Sequence, residues 1–172
     1  MIGKEYSTMV NQQNSQIEFI APLTGAWEFM PNLGVFIPEW RKDLLELIRI
    51  SHINNWDIGI NFRKQLQEYK KAIVVTDLNQ IILWTSSYFK EMTGYEREEA
   101  IGKRPSFLQG ENTSSVTREK IRNAIRNREI AIEELVNYKK DGTPYNCLVK
   151  IIPVYNHDKK LVNFIALEKD VN

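Results

Sequence analysis

The order of elements in this chain predicts an antiparallel α+β domain, and three observations carry that expectation. β-branched runs at Ile73-Val74-Val75-Thr76 and Ile81-Ile82-Leu83-Trp84 flank the turn-forming Asp77-Leu78-Asn79-Gln80, so they read as a hairpin. Shorter helical patterns come next, the first opened by Ser86 or Ser87 and the last carrying Ile121, Ala124 and Ile125. Three further strand patterns close the chain, around Ile130–Tyr138, Tyr145–Tyr155 and Leu161–Glu168. Strands, then helices, then strands give a five-stranded antiparallel sheet with short helices on one face. A helical extension precedes it.

Residues 1–16 are rich in Asn, Gln and Ser and read as a frayed start. From Ile17 to Ile37 the chain is apolar but aperiodic, with Phe19, Trp27, Phe29 and Phe36 among Pro22, Gly25, Pro31 and Gly34. Such a segment is expected to pack across another surface. Pro38 then suits the first turn of a helix. Trp40, Leu44, Leu47, Ile48 and Ser51 recur at helical spacing, with Arg41, Lys42, Asp43 and Glu46 between them. Asp57 is a candidate cap for a second helix, on which Ile58, Phe62, Leu66 and Tyr69 form one apolar stripe. Lys64, Gln65, Glu68, Lys70 and Lys71 are expected to face water. The two helices read either as cover for their own domain or as a dimerisation surface.

In the central region, Ser86 or Ser87 opens a short helix containing Phe89 and Met92, ended by Gly94. Ser114 or Ser115 caps a longer one, with Ile121, Ala124 and Ile125 on its buried side. Turns at Asp141-Gly142 and Asn156-His157-Asp158 join the last three strands. Along the second of these, Cys147, Val149 and Ile151 alternate with Leu148, Ile152 and Val154. The final strand offers Val162, Phe164 and Ala166 on one face, against Leu161, Ile165 and Leu167. A sheet apolar on both faces needs cover on both. The central helices supply one cover; the extension, a second copy or a partner must supply the other.

Composition narrows the function. Of 172 residues, 42% are hydrophobic and 26% charged, which suits a globular chain long enough to bury a core. The net charge of +1 gives no basic stripe for a phosphate backbone, so nucleic-acid binding is not expected. Cys147 is the one cysteine, which rules out an internal disulfide and a cysteine-cluster metal site. No run approaches the roughly 20 apolar residues of a membrane span, and Met1 to Asn14 lack the apolar core of a signal peptide. A cytoplasmic location follows as the expectation.

Four motifs in order carry a family resemblance. Phe89-Lys90-Glu91-Met92-Thr93-Gly94-Tyr95 with Glu98-Glu99-Ala100-Ile101-Gly102 comes first. Gly102-Lys103-Arg104-Pro105-Ser106-Phe107-Leu108-Gln109-Gly110 follows directly. Asn137-Tyr138-Lys139-Lys140-Asp141-Gly142-Thr143-Pro144-Tyr145 forms the third, and Phe164-Ile165-Ala166-Leu167-Glu168-Lys169-Asp170 the last. Together they resemble the light-oxygen-voltage (LOV) branch of the PAS sensor family. The resemblance implies a PAS fold over residues 72–172, behind an extension over 1–71. It also implies a sensor or protein-interaction module in signalling rather than an enzyme.

The resemblance also implies where a flavin would sit. Pro105 stands where the family's photoactive cysteine would be, and proline has no thiol for a covalent adduct. One phosphate-binding arginine falls at Ser106, the other at Arg122. The motif glutamine is Gln109. Of the ring-edge amides, one is Asn137, the next falls at Cys147 and the third at Glu168. An amide answers both donors and acceptors, whereas cysteine donates weakly and an ionised carboxylate only accepts. No cofactor is therefore expected, with flavin mononucleotide as the alternative in a noncovalent light or redox sensor. Gln109, Arg122, Asn137, Cys147 and Glu168 remain the candidate pocket residues, for a flavin or another small-molecule ligand.

Several side chains have a plainer reading. Glu168 is expected either to be neutralised by a group such as Arg122 or to lean out at a strand end. The sharper alternative is a buried carboxylate that meets a cationic or amide-bearing ligand, or senses pH through a raised pKa. Glu133 has inward parity, hinting at cavity chemistry or a strand edge. Cys147 reads as a small buried hydrophobe. Arg118, Lys120, Arg122, Arg126 and Arg128 read as a solvated basic side of the long helix. His52 and His157 lie outside the Gly94–Ile125 helices that hold iron in haem-binding relatives, and no metal or catalytic cluster is visible. The expected assembly is a homodimer that signals through an unidentified partner protein, because no output domain follows Asp170-Val171-Asn172.

Overall fold

The computed structural model describes residues 37–171, apart from positions 58 and 69. Expectations for the frayed start, the apolar Ile17–Phe36 stretch, Ile58 and Tyr69 lie outside the described residues. Residues Ile37–Asn172 form one compact unit. Its elements are α1 (Glu39–Ile53), β1 (Trp56–Asp57), α2 (Phe62–Gln67), β2 (Lys71–Thr76) and β3 (Ile82–Thr85). After these come α3 (Tyr88–Thr93), α4 (Arg97–Ala100), a short 3-10 helix (Pro105–Leu108) and α5 (Ser115–Asn127). Strands β4 (Ala131–Tyr138), β5 (Pro144–Asn156) and β6 (Leu161–Asp170) complete it.

The sheet is antiparallel and runs β1-β5-β6-β2-β3, with β4 also paired to β5. Five strands match the expectation. The sixth is β1, where Trp56 and Asp57 pair with Asn156 and Tyr155. Asp57 is thus a strand residue instead of the expected cap. Asn61 caps α2, its side chain accepting from Lys64 N–H at 2.9 Å. Its short amide reaches back to an otherwise orphaned donor, the same chemistry at a site four residues later.

Local chemistry sets the turns. The Asp77 carboxylate accepts from Asn79 N–H at 2.8 Å and Ile81 N–H at 2.7 Å, closing the β2–β3 hairpin. Gly94 ends α3 at φ 77°, a left-handed value that glycine adopts without steric cost. Lys140 N–H donates to Thr93 carbonyl beside it at 2.8 Å, docking the β4–β5 hairpin against α3. Gly110 has a different reason. A Cβ there would lie 2.4 Å from the Tyr138 ring, so the end of one motif is packed directly on another.

Alternation along the strands separates two cores. On the inner face Ala72, Val74, Ile82, Leu135, Cys147, Val149 and Ala166 meet Phe89, Met92, Ala100 and Leu108 from the central helices. On the outer face Ile73, Val75, Trp84, Val154, Ile165 and Leu167 meet Leu47, Trp56 and Phe62. Leu44, Ile50 and Leu66 pack against that second cluster. Helices α1 and α2 therefore cover the outer face from within the same unit. Burying each such large side chain is worth about 1.5–3 kcal/mol, which explains why the extension docks. Val162 joins this outer cluster instead of the inner set expected from strict alternation, next to a register slip between Val154 and Tyr155. Asn163 pins the arrangement: its amide accepts from Trp56 Nε1 at 2.9 Å and donates to Thr76 carbonyl at 3.0 Å.

One polar residue breaks the expected pattern of α1. Asp43 falls between the apolar positions of the helical pattern, yet it is buried. Its carboxylate accepts from Ser87 N–H, Ser87 Oγ and Arg97 Nη2 at 2.8–2.9 Å. Burial pushes the Asp43 carboxyl upward, against the lowering effect of Ser87 and Arg97. Helical periodicity sees polarity but not a partner 44 residues away.

Candidate functional site

Between the inner face of the sheet and α5 lies a cavity of about 370 Å³, within the usual range of small-molecule sites. Strands β4, β5 and β6 supply Leu135, Asn137, Cys147, Val149, Ile151, Phe164, Ala166 and Glu168. Helix α5 supplies Arg118, Ile121, Arg122 and Ile125, while Arg104, Pro105, Ser106 and Gln109 come from the 3-10 region. All five sequence-derived candidates, Gln109, Arg122, Asn137, Cys147 and Glu168, line this one space. The apolar side of α5 is only half-buried, because it faces the cavity. Ser114 sets where that helix begins, accepting from Thr117 N–H at 3.2 Å.

The cavity is chemically graded. At its buried end are Asn137, Cys147 and Glu168, each under 7% exposed. Arg104 and Arg122 are exposed, and Arg118 is half-buried. Arg118 Nε meets no hydrogen-bond partner among the described residues. Neither Arg104 nor Arg118 was singled out as a ligand-facing cation. The signal was present, since Arg118 and Arg122 are four residues apart, on the side of α5 that carries Ile121 and Ile125. The basic run is thus not a uniformly solvated face.

Glu168 takes neither of its two plain readings. It is 4% exposed, so it does not lean into solvent. Arg122 Nη1 pairs with Glu119 instead, leaving Glu168 Oε2 with no partner among the described residues. Burial pushes its carboxyl up to about 7. Burial, reinforced by the nearby Glu168, also raises the Cys147 thiol and the Tyr145 phenol. Cys147 is therefore an inert thiol at the wall. Glu133, by contrast, turns to the strand edge and pairs with Lys120 of α5 at 3.6 Å, outside the cavity lining.

Does this lining fit a flavin mononucleotide? The exposed arginines suit a phosphate, and Arg104 and Arg118 offset the loss at Ser106. The buried end does not match. A flavin ring edge carries an N–H between two carbonyls, and an ionised Glu168 opposes those carbonyls without returning a donor. Pro105, at the wall, offers no nucleophile. Among the described residues no group of three His, Cys, Asp or Glu side chains is arranged to hold a metal ion. No described helix is long and apolar enough to cross a membrane.

Comparison with known proteins agrees with this geometry. Residues 70–172 match the family model described as PAS domain. Phototropin-1A of Oryza sativa subsp. japonica is 35% identical over 118 residues, covering 67% of this chain and 13% of its own. The blue-light photoreceptor of Listeria monocytogenes is 36% identical over 111 residues, 63% of this chain and 44% of its own. The chain thus spans less than half the length of these relatives. Among solved structures, a LOV domain studied with a flavin analogue superposes with a TM-score of 0.61 at 27% identity. That match covers 66% of this chain and 87% of the other. The PAS domain of the fruit-fly ELK potassium channel gives 0.58 at 28% identity, covering 63% and 92%. A PAS sheet with its short helices, the motifs in order and the matched span lead to one conclusion: the chain belongs to the PAS domain family, on its LOV-like branch.

Proposed function

We propose that this chain is a signalling sensor that reads a small molecule in its cavity without a cysteinyl photoadduct. The observation that carries the reading is the lining itself. Buried Asn137 and Glu168 and the more exposed Arg104, Arg118 and Arg122 surround one space, with Pro105 at its wall. A purely structural module would fill that space with apolar side chains. In this reading residues 72–172 form the sensor and 1–71 the extension, whose α1 and α2 respond to changes in the sheet they cover. The output is non-enzymatic and passes to a partner protein in the cytoplasm.

A homodimer is part of the proposal. Ile132 on β4 and Leu148 on β5 are exposed, with Ile130 just before β4, and none of the three belongs to the cluster that α1 and α2 cover. A matching strip on a second copy would bury them. Native mass spectrometry of the freshly purified chain tests both points. A retained small molecule and twice the monomer mass support the reading; a bare monomer contradicts it.

A second reading is favoured by the arginines alone. Three guanidinium groups at one cavity would hold the phosphate of a noncovalently bound flavin, for light or redox sensing. A structured blue absorption band in the purified protein would establish that reading.

A further inference from the structure

Glu168 Oε2, Asn137 Oδ1 and Arg118 Nε are buried, belong to side chains that line one cavity, and meet no hydrogen-bond partner among the described residues. Leaving such groups unsatisfied is costly, most of all for charged ones. An unpaired carboxylate at 4% exposure is the most demanding of the three. It calls for donors, and Arg118, which lines the same cavity from α5, calls for acceptors.

We propose that the cavity binds a planar ligand presenting paired N–H donors to Glu168 and an anionic group to Arg118 and Arg122. This rests on the reading of the chain as a small-molecule sensor and names the ligand class of the same site. Two adjacent N–H groups match the two oxygens of a carboxylate in a fork. An amino-oxo pyrimidine edge, as in guanine, offers that pair; a flavin edge offers one N–H flanked by carbonyls. Leu135, Val149, Ile151, Phe164 and Ala166 supply apolar walls for the ring. The phosphate of a nucleoside monophosphate then reaches the arginines. The donor demand inverts the selectivity of the site relative to flavin.

The inversion depends on the charge of Glu168. Tyr145 and Cys147 on β5 lie beside it, and Arg118 and Arg122 on α5 line the same cavity. Asp170, on its own strand, is engaged by Lys139 at 3.6 Å. Its neighbours in register, Ala72 on β2 and Val149 on β5, do not titrate. Tyr145 and Cys147 are driven toward their neutral forms, so Glu168 is the group that titrates near neutrality. Ionised, it accepts from two N–H groups. Protonated, it imitates an amide and tolerates a carbonyl. Affinity for a paired-donor ligand therefore rises with pH toward neutrality, and affinity for a flavin falls.

The test is calorimetric titration of the full chain with guanosine 5′-monophosphate and with flavin mononucleotide, from about pH 6 to about pH 8. Wild type, Glu168→Gln and Arg118→Ala are compared. The expected result is tighter guanosine monophosphate binding at the upper pH, by about tenfold per unit below the pKa of Glu168. Glu168→Gln loses at least about tenfold for that ligand and gains affinity for flavin mononucleotide. Arg118→Ala weakens both. Gln is isosteric with Glu, and thermal melts at the same pH identify any variant that fails to fold. Flavin mononucleotide binding wild type as tightly at the upper pH overturns the proposal, as does an unchanged guanosine monophosphate affinity in Glu168→Gln. A retained ligand without N–H donors overturns the donor assignment and leaves the sensor reading standing. Binding of neither probe, with nothing retained in native mass spectrometry, overturns both.

Discussion

Asp43, on the first described helix, caps Ser87 at the start of α3, accepting from its backbone N–H at 2.8 Å and its hydroxyl at 2.9 Å. Arg97 completes the clasp, bonding Asp43 through Nη2 and Glu46 through Nη1 while its guanidinium lies 5.1 Å from the Trp84 ring centroid. Trp84 Nε1 donates to the same Glu46 at 2.6 Å. The outer-face helix is thus tied by charge, as well as by apolar burial, to the elements that lead into the cavity.

Removing that tie has a defined cost. Asp43→Ala deletes a helix cap and leaves Arg97 with one carboxylate, so about 2 kcal/mol of stability should be lost. Asp43→Asn keeps one acceptor and should lose less. Urea unfolding followed by tryptophan fluorescence reads both values. A loss below about 0.5 kcal/mol in Asp43→Ala would show that the clasp is ornamental.

A second outcome concerns pH. Burial lifts the Glu168 carboxyl from the ordinary 4.5 to about 7, so the native state keeps this proton to higher pH than the unfolded chain. The stability it supports is complete below about 4.5 and is lost as pH rises through about 7. Glu168→Gln removes that dependence. At about pH 8 the variant should exceed wild type by about 3 kcal/mol, and at about pH 4 the two should agree. Chemical denaturation across that range measures the difference, and parallel curves would refute it.

Gly110 and Tyr138 allow a packing test. Adding a methyl at Gly110 drives it into the Tyr138 ring, where a Cβ would come within 2.4 Å. Gly110→Ala should cost about 1–3 kcal/mol through overpacking, and Tyr138→Ala should relieve part of that cost in the double variant. Strict additivity of the two changes would mean that the contact is not what requires glycine.

The exposed strip on β4 and β5 makes a prediction about assembly. Ile132→Glu paired with Leu148→Glu should halve the solution mass measured by light scattering, with a melting temperature little changed, since both side chains are exposed. An unaltered dimer mass in this variant would contradict this interface, and a monomeric wild type would contradict the proposed dimer.

Much of the fold was legible because the hairpins and strands carry short-range signals. Asp77 and Gly142 mark turns that their own side chain or backbone form, and alternation around Cys147 and Ile165 assigns two apolar faces. The candidate pocket residues were legible only through the resemblance, which aligned Asn137, Cys147 and Glu168 from separate strands. What escaped was set by distant partners. Asp43 was one polar residue among several between apolar positions, and its burial follows from Ser87 and Arg97 beside it. Asp57 resembled a cap, but pairing with Tyr155 made it a strand residue. Arg118 resembled one member of a solvated run, yet the placement of α5 beside the sheet brings it to the cavity lining.

The most direct measurement is the titration of the Glu168 side-chain carboxyl by carbon-13 NMR in the full chain, assigned by its absence in Glu168→Gln. An unpartnered carboxylate facing the cavity should titrate near 7, far above the ordinary 4.5, and should shift downward when a paired-donor ligand binds. A midpoint near the ordinary value in the free protein would mean that Glu168 is already satisfied or solvated, and the account of this cavity would be wrong.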